Sequence, residues 1–120
     1  MAQIQIVHNP RCSKSRQTLA LLTDKQIEHE VLLYLKTPLD LNTLQEIKLA
    51  LEVSSFKDMM RTKDTLFKEL ELSDVSEEKL AEALVAHPKL VERPIVIVRS
   101  GSDIQARIGC PPEQVLDILP

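Results

Sequence analysis

The chain has 120 residues, 43% of them hydrophobic and 28% charged, with a net charge of −3. That is ordinary composition for one globular domain, able to bury roughly two thirds of its unfolded surface without staples. The acidic balance, 2% aromatic content and two cysteines argue against bulk nucleic-acid binding, base stacking and a secreted disulfide framework.

The start, MAQIQIVHNP, is too short and polar for a signal peptide, and no apolar run approaches membrane-spanning length. A cytoplasmic setting without membrane attachment is therefore expected, where a conspicuous thiol is more often reactive than structural. Ile4, Ile6 and Val7 form a first strand, ended by the turn pair Asn9-Pro10. Helix formers follow from Ser13 to about Asp24, with Leu19 and Leu22 on one face. Val31 to Leu35 reads as a buried second strand, broken by Thr37-Pro38. The region from about 36 to 90 is helical throughout. Leu41, Leu44, Ile47 and Leu51 make one apolar stripe there. Ser55 and Asp58 suggest a capping box for a helix carrying Met59 and Met60. Ser76 caps a further helix, with Glu77 and Glu78 favourable to its dipole, and His87-Pro88 ends it.

Pro94 to Val98 is the clearest strand in the sequence, and Ser100-Gly101-Ser102 turns it into a partner over Ile104 to Ile108. Pro111 and Pro112 then open a last helix containing Val115, Leu116, Ile118 and Leu119. No repeat, low-complexity segment or flexible linker interrupts the order β-α-β, helices, β-β-α. Residues 1–120 are thus expected to form a single α/β domain of thioredoxin-like type. Its core is a four-stranded mixed sheet flanked by helices, with a helical insertion at about 36–90 between the two halves.

The chemistry concentrates at Cys12, within His8-Asn9-Pro10-Arg11-Cys12-Ser13-Lys14-Ser15-Arg16. It falls where the first helix begins, and a helix N-terminus carries unpaired N–H groups and partial positive charge. Arg11, Lys14 and Arg16 add full charges, and His8 comes from the strand end. Each favours thiolate over thiol, and the same donors suit an oxyanion beside the sulfur. The spacing fits neither the C-x5-R of cysteine phosphatases nor a C-x-x-C dithiol, because Ser15 occupies the second position. His8, His29 and His87 are scattered, so no metal site is expected. His29 and His87 read as surface or helix-end residues.

That loop, together with Glu92-Arg93-Pro94-Ile95-Val96 and the ending Pro111-Pro112-Glu113-Gln114-Val115-Leu116-Asp117-Ile118-Leu119, resembles the glutaredoxin-coupled arsenate reductase family over essentially the whole chain. Within it, the short arsenate reductase-related subgroup is most similar, and Spx-type regulators are more distant members of the same fold group. The resemblance implies an oxidoreductase without a bound cofactor, in which Cys12 attacks arsenate. Glutathione then acts as co-substrate, arsenite leaves, and glutaredoxin reduces the mixed disulfide. It also implies that Arg61 and Arg93 grip the oxyanion and that His8 helps keep Cys12 ionised. Pro94 would lie beside the cysteine, with Asn9, Arg11, Ser15 and Arg16 supporting the site. Arginine suits this task because its planar fork offers paired N–H donors and stays charged.

One position departs from the pattern. The resemblance calls for a third anion-binding arginine just before the last helix, but Cys110 stands there, and Arg107 lies three residues earlier. Cys110 is either a small filler in that place or a resolving thiol for Cys12. Two other functions share the fold: a thiol-disulfide oxidoreductase or redox sensor that never uses arsenate, and an RNA polymerase-binding regulator of Spx type. Ser15 in place of a second motif cysteine lowers the last.

Overall fold

The computed structural model describes residues 2–109 and 111–119. Strand β1 (Ala2–Val7) leads into helix α1 (Ser13–Asp24), and a short strand β2 (Glu30–Leu32) returns parallel to β1. Helix α2 (Leu41–Leu51), a 3-10 turn at Phe56–Met59, α3 (Thr65–Glu69) and α4 (Glu77–Ala86) follow. Strands β3 (Ile95–Ser100) and β4 (Asp103–Ile108) complete the sheet, and a 3-10 run at Pro112–Ile118 packs after them. The strand order is β2-β1-β3-β4, with β3 antiparallel to both β1 and β4.

The continuous apolar run of β3 is explained by burial on both faces, as a central strand requires. Ile95 and Ile97 face the inserted helices, meeting a cluster that contains Leu44 and Ile47 of α2 and Leu80 and Leu84 of α4. Val96 and Val98 face the other way, with Ile4 and Ile6 of β1, onto Leu22 of α1 and Val115 and Ile118 of the last segment. Each fully buried side chain of this kind is worth about 1.5–3 kcal/mol. The helix ends follow their caps. Asp40 accepts from the Thr43 amide at 2.8 Å to start α2, and Ser76 accepts from Lys79 to start α4.

Three expectations change. The second strand is shorter than Val31–Leu35: pairing stops at Leu32, Val31 is 38% exposed, and the Lys36 and Thr37 amides turn back onto the Leu33 carbonyl. β2 is an edge strand that pairs only with β1, and the turn after it drives Tyr34 into the core. Ser55 does cap, but onto the Lys57 amide, and it starts a 3-10 turn that Met60 leaves in extended form. Glu77 explains this, because its carboxylate accepts from the Ser55 hydroxyl at 2.6 Å and the Phe56 amide at 2.8 Å, tying the turn to α4. The last element is 3-10 rather than α-helical, opening with the Gln114 amide on the Pro111 carbonyl. Cys110 lies outside the described residues.

Candidate active site

Cys12 is the N-cap residue of α1, in extended conformation, and its side chain makes no capping hydrogen bond. No acidic residue stands in the first turn of that helix, so its positive end is turned towards a half-buried free thiol. The preceding loop is fixed by short-range bonds. The Cys12 amide donates to the Asn9 carbonyl at 3.0 Å, and the Arg11 amide to Asn9 Oδ1 at 3.0 Å. Beneath them the buried Ser15 hydroxyl accepts from the Asn9 amide at 3.0 Å and shares a 2.6 Å hydrogen bond with His8 Nδ1. Burial pushes the His8 pKa below its ordinary value, with the Arg16 charge adding to the effect. Both effects favour the neutral ring, which braces Ser15.

A second wall faces Cys12. Met60 and Val91 form a single antiparallel bridge, with the Arg61 amide on the Leu90 carbonyl at 2.8 Å and the Glu92 amide on the Met59 carbonyl at 2.9 Å. This short pairing sets Arg61, from the inserted region, beside Glu92 and Arg93 at the entry to β3. An open cleft of about 450 Å³ lies between the walls, lined by Cys12, Lys14, Arg61, Thr62, Lys63, Asp64, Glu92 and Arg93. Arg61 is held by Asp64 through Nη1 to Oδ2 at 3.1 Å, and Lys89 reaches the other oxygen at 3.5 Å. The Nε of Arg93 is buried, with no hydrogen-bond partner among the described residues. The Arg93-Pro94 bond is cis, and Pro94 is held behind it by the Gly109 amide on its carbonyl at 2.8 Å. A Cβ on Gly109 would stand 2.6 Å from Thr18 Oγ1 and 2.8 Å from Pro94 Cγ, so only glycine allows this approach.

Cys12, Arg61 and Arg93 thus meet in one cleft, with Lys14. Arg11 and Arg16 do not line it: Arg11 is exposed, and Arg16 turns back to the Pro10 carbonyl at 2.9 Å. Asn9, Ser15 and Pro94 form the support behind it. His29, His87 and Arg107 also lie off the cleft lining. Among the described residues, no group of His, Cys, Asp or Glu is placed to hold a metal ion, and no helix is long and apolar enough to cross a membrane.

Two residues near the site were not singled out from the sequence. Tyr34 is buried, and that burial raises its hydroxyl pKa, opposed by the charges of Arg93 and Arg61 and by the Asn9 side chain. Glu92 lines the cleft itself. Burial raises its pKa as well, against the nearby Arg93, Arg61 and Lys14. The apolar run around Tyr34 hid it as a strand residue, and Glu92 carries no signal until Met59 and Glu92 are known to pair.

The sheet, its flanking helices and the cysteine at the start of α1 define a thioredoxin-like α/β protein. A family model for the ArsC family matches residues 7–118, and the chain belongs to that family. It is 49% identical to an arsenate reductase of Haemophilus influenzae over 95% of this chain and 97% of that one. It is 52% identical to the protein YfgD of Escherichia coli K12 over 98% of this chain and 97% of that one. Among solved structures it is similar to an arsenate reductase from Vibrio cholerae, with a TM-score of 0.91 and 46% identity over 98% of each chain.

Proposed function

We propose that this protein is a cytoplasmic arsenate reductase dependent on glutathione and glutaredoxin, with residues 1–120 as one domain. The observation that carries the reading is the shared cleft: a free thiol at a helix start faces two arginines, one with a buried Nε that has no partner among the described residues. A guanidinium so placed suits an oxyanion, because a buried donor left unpaired costs about 1–3 kcal/mol. The arsenate reductases among the relatives support the choice of anion.

In this reading Arg61 and Arg93 hold arsenate while the Cys12 sulfur forms a bond to arsenic and one arsenic oxygen leaves as water. The thiol of glutathione then attacks the Cys12 sulfur. The sulfur–arsenic bond breaks, its electron pair reduces arsenic from the +5 to the +3 state, and arsenite departs. Cys12 is left disulfide-bonded to glutathione, and glutaredoxin restores the thiol. His8, Asn9 and Ser15 act by holding the cysteine loop, and Pro94 by holding Arg93.

The test is arsenate-dependent NADPH consumption coupled through glutathione, glutaredoxin and glutathione reductase. Wild type should turn over, and Cys12→Ser should lose at least about 10³-fold, as removal of a covalent nucleophile does. No arsenate-dependent rate in wild type would defeat the reading. Cys110 occupies the place of the third arginine implied by the resemblance. Cys110→Arg should therefore lower the arsenate KM by roughly ten- to a hundredfold, the worth of one charged hydrogen bond; an unchanged or higher KM would count against a missing clamp.

A further inference from the structure

Glu92 is one of two acidic residues in a cleft that also gathers Lys14, Arg61, Lys63 and Arg93. It lines the same cavity as Cys12, Arg61 and Arg93. Its backbone is pinned there by the Met59 carbonyl at 2.9 Å. Asp64, the other acidic lining residue, is already engaged by Arg61 and Lys89. Glu92 is not: among the described residues no hydrogen bond or ion pair engages its carboxylate. A carboxylate facing a tetrahedral oxyanion repels it unless a proton lies between them, and then it accepts a hydrogen bond from that oxygen. Arsenate and phosphate carry such a proton at neutral pH, whereas sulfate carries none.

Resting on the oxyanion reading above, we propose that Glu92 is a specificity-determining residue that accepts a hydrogen bond from the protonated oxygen of the bound ion. The cleft then takes hydrogen-bearing oxyanions and turns away fully deprotonated ones. Arg61 and Arg93 supply attraction common to all of them, and Glu92 supplies the element that repels the wrong ion. The titratable and charged groups that share the cleft with Glu92 are Arg93 beside it, Arg61, Lys63 and Asp64 from the inserted region, and Lys14 and Cys12 from the start of α1. Of these, Arg93, Arg61 and Lys14 act on its carboxyl. Burial makes this carboxyl take up its proton at higher pH than a free glutamate. Repulsion of sulfate should therefore fade as pH falls. His8, behind the loop, gains charge in the same direction but acts on every oxyanion alike. Phosphate itself gains a proton near neutral pH and sulfate does not, so the comparison that isolates Glu92 is wild type against a Glu92 variant at one pH.

The experiment measures protection of Cys12 from iodoacetamide by arsenate, phosphate or sulfate, read on the Cys12 peptide by mass spectrometry, with no reductant present. Wild type should bind arsenate and phosphate roughly ten- to a hundredfold more tightly than sulfate. Glu92→Gln, similar in size and uncharged, should tighten sulfate and bring the three to within about threefold. Equal binding in wild type, protection by none of the three, or a ratio unchanged in Glu92→Gln would overturn the proposal. Should that variant fail to fold, Glu92→Ala at the same pH decides: sulfate gaining on phosphate supports the proposal, and an unchanged ratio overturns it. The outcome is separable from the turnover assay. Preference without arsenate turnover would defeat the reductase alone, and turnover without preference would defeat the role of Glu92 alone.

Discussion

The two banks of the cleft are built in opposite ways. The cysteine bank is local: His8, Asn9, Cys12 and Ser15 hold one another within a single loop and the first turn of α1. The arginine bank is assembled from afar, because Arg61 meets Glu92 and Arg93 only through the Met60–Val91 bridge. One bank rests on buried hydrogen bonds with few spare partners. The other rests on partly exposed ion pairs, such as Arg61 with Asp64, whose side chains are 33% and 11% accessible. The difference predicts that damage to the first will show mainly as lost stability, and damage to the second mainly as weaker anion binding.

Ser15→Ala tests the first half and should have the largest effect. It removes at once the partner of the Asn9 amide and that of His8 Nδ1, in a residue with no exposed surface. Leaving buried polar groups unsatisfied should cost about 2–3 kcal/mol, lowering Tm by roughly 10 °C or more in a domain of this size. Thermal unfolding followed by circular dichroism measures it. A Tm within about 2 °C of wild type would show that the loop is held by something other than Ser15.

The same contrast explains what the sequence made legible. A cysteine at a helix start among cations is a local pattern, so its position at the head of α1 follows directly from HNPRCSKSR. The central strand and the Asp40 and Ser76 caps are legible for the same reason, since each depends on neighbours in the chain. Arg61 is different. Nothing in Met59-Met60-Arg61-Thr62 announces a site, and only the family resemblance pointed to it before the bridge put it in the cleft. Glu92 was visible only as part of a motif. The burial of His8 behind the loop and the turn that carries Tyr34 out of the strand and into the core are not legible locally, because tertiary contacts decide both.

Asp64→Asn probes the arginine bank with a smaller expected change. Asparagine keeps an acceptor for the Leu66 amide, which caps α3 at 2.9 Å, but removes the charge that holds Arg61 and Lys89. Exposed or partly exposed pairs contribute about 1 kcal/mol or less, so Tm should fall by only a few degrees. Arg61 loses its orientation, and the arsenate KM should rise about threefold with kcat nearly unchanged, the signature of lost uniform binding. A lower KM would mean that removing a negative charge from the cleft outweighs holding Arg61 in place.

Acid should separate the banks in sequence, with the smallest effect of the three. The folded-state pKa of His8 lies below its unfolded value of 6.5 because burial disfavours the charged ring. The unfolded chain therefore takes up this proton first as pH falls. The stability associated with neutral His8 is full above pH 6.5, erodes below it, and is gone once pH passes the folded pKa. Glu92 works in the opposite sense, since its raised pKa lets the folded state bind a proton more readily and adds stability as pH falls. Wild type alone thus reports a sum, and the informative quantity is its difference from His8→Gln in urea unfolding across this range. On the other bank, Asp64 is held below its ordinary 3.8 by the Leu66 amide first and by Lys89 and Arg61 after it. Its contribution is present above that value and is lost only as pH falls further, through the folded pKa. The cysteine loop should therefore loosen in mild acid while the Arg61 anchor still holds. If the difference between wild type and His8→Gln stayed constant from about pH 7.5 to about pH 5, His8 would not be the neutral brace of that loop.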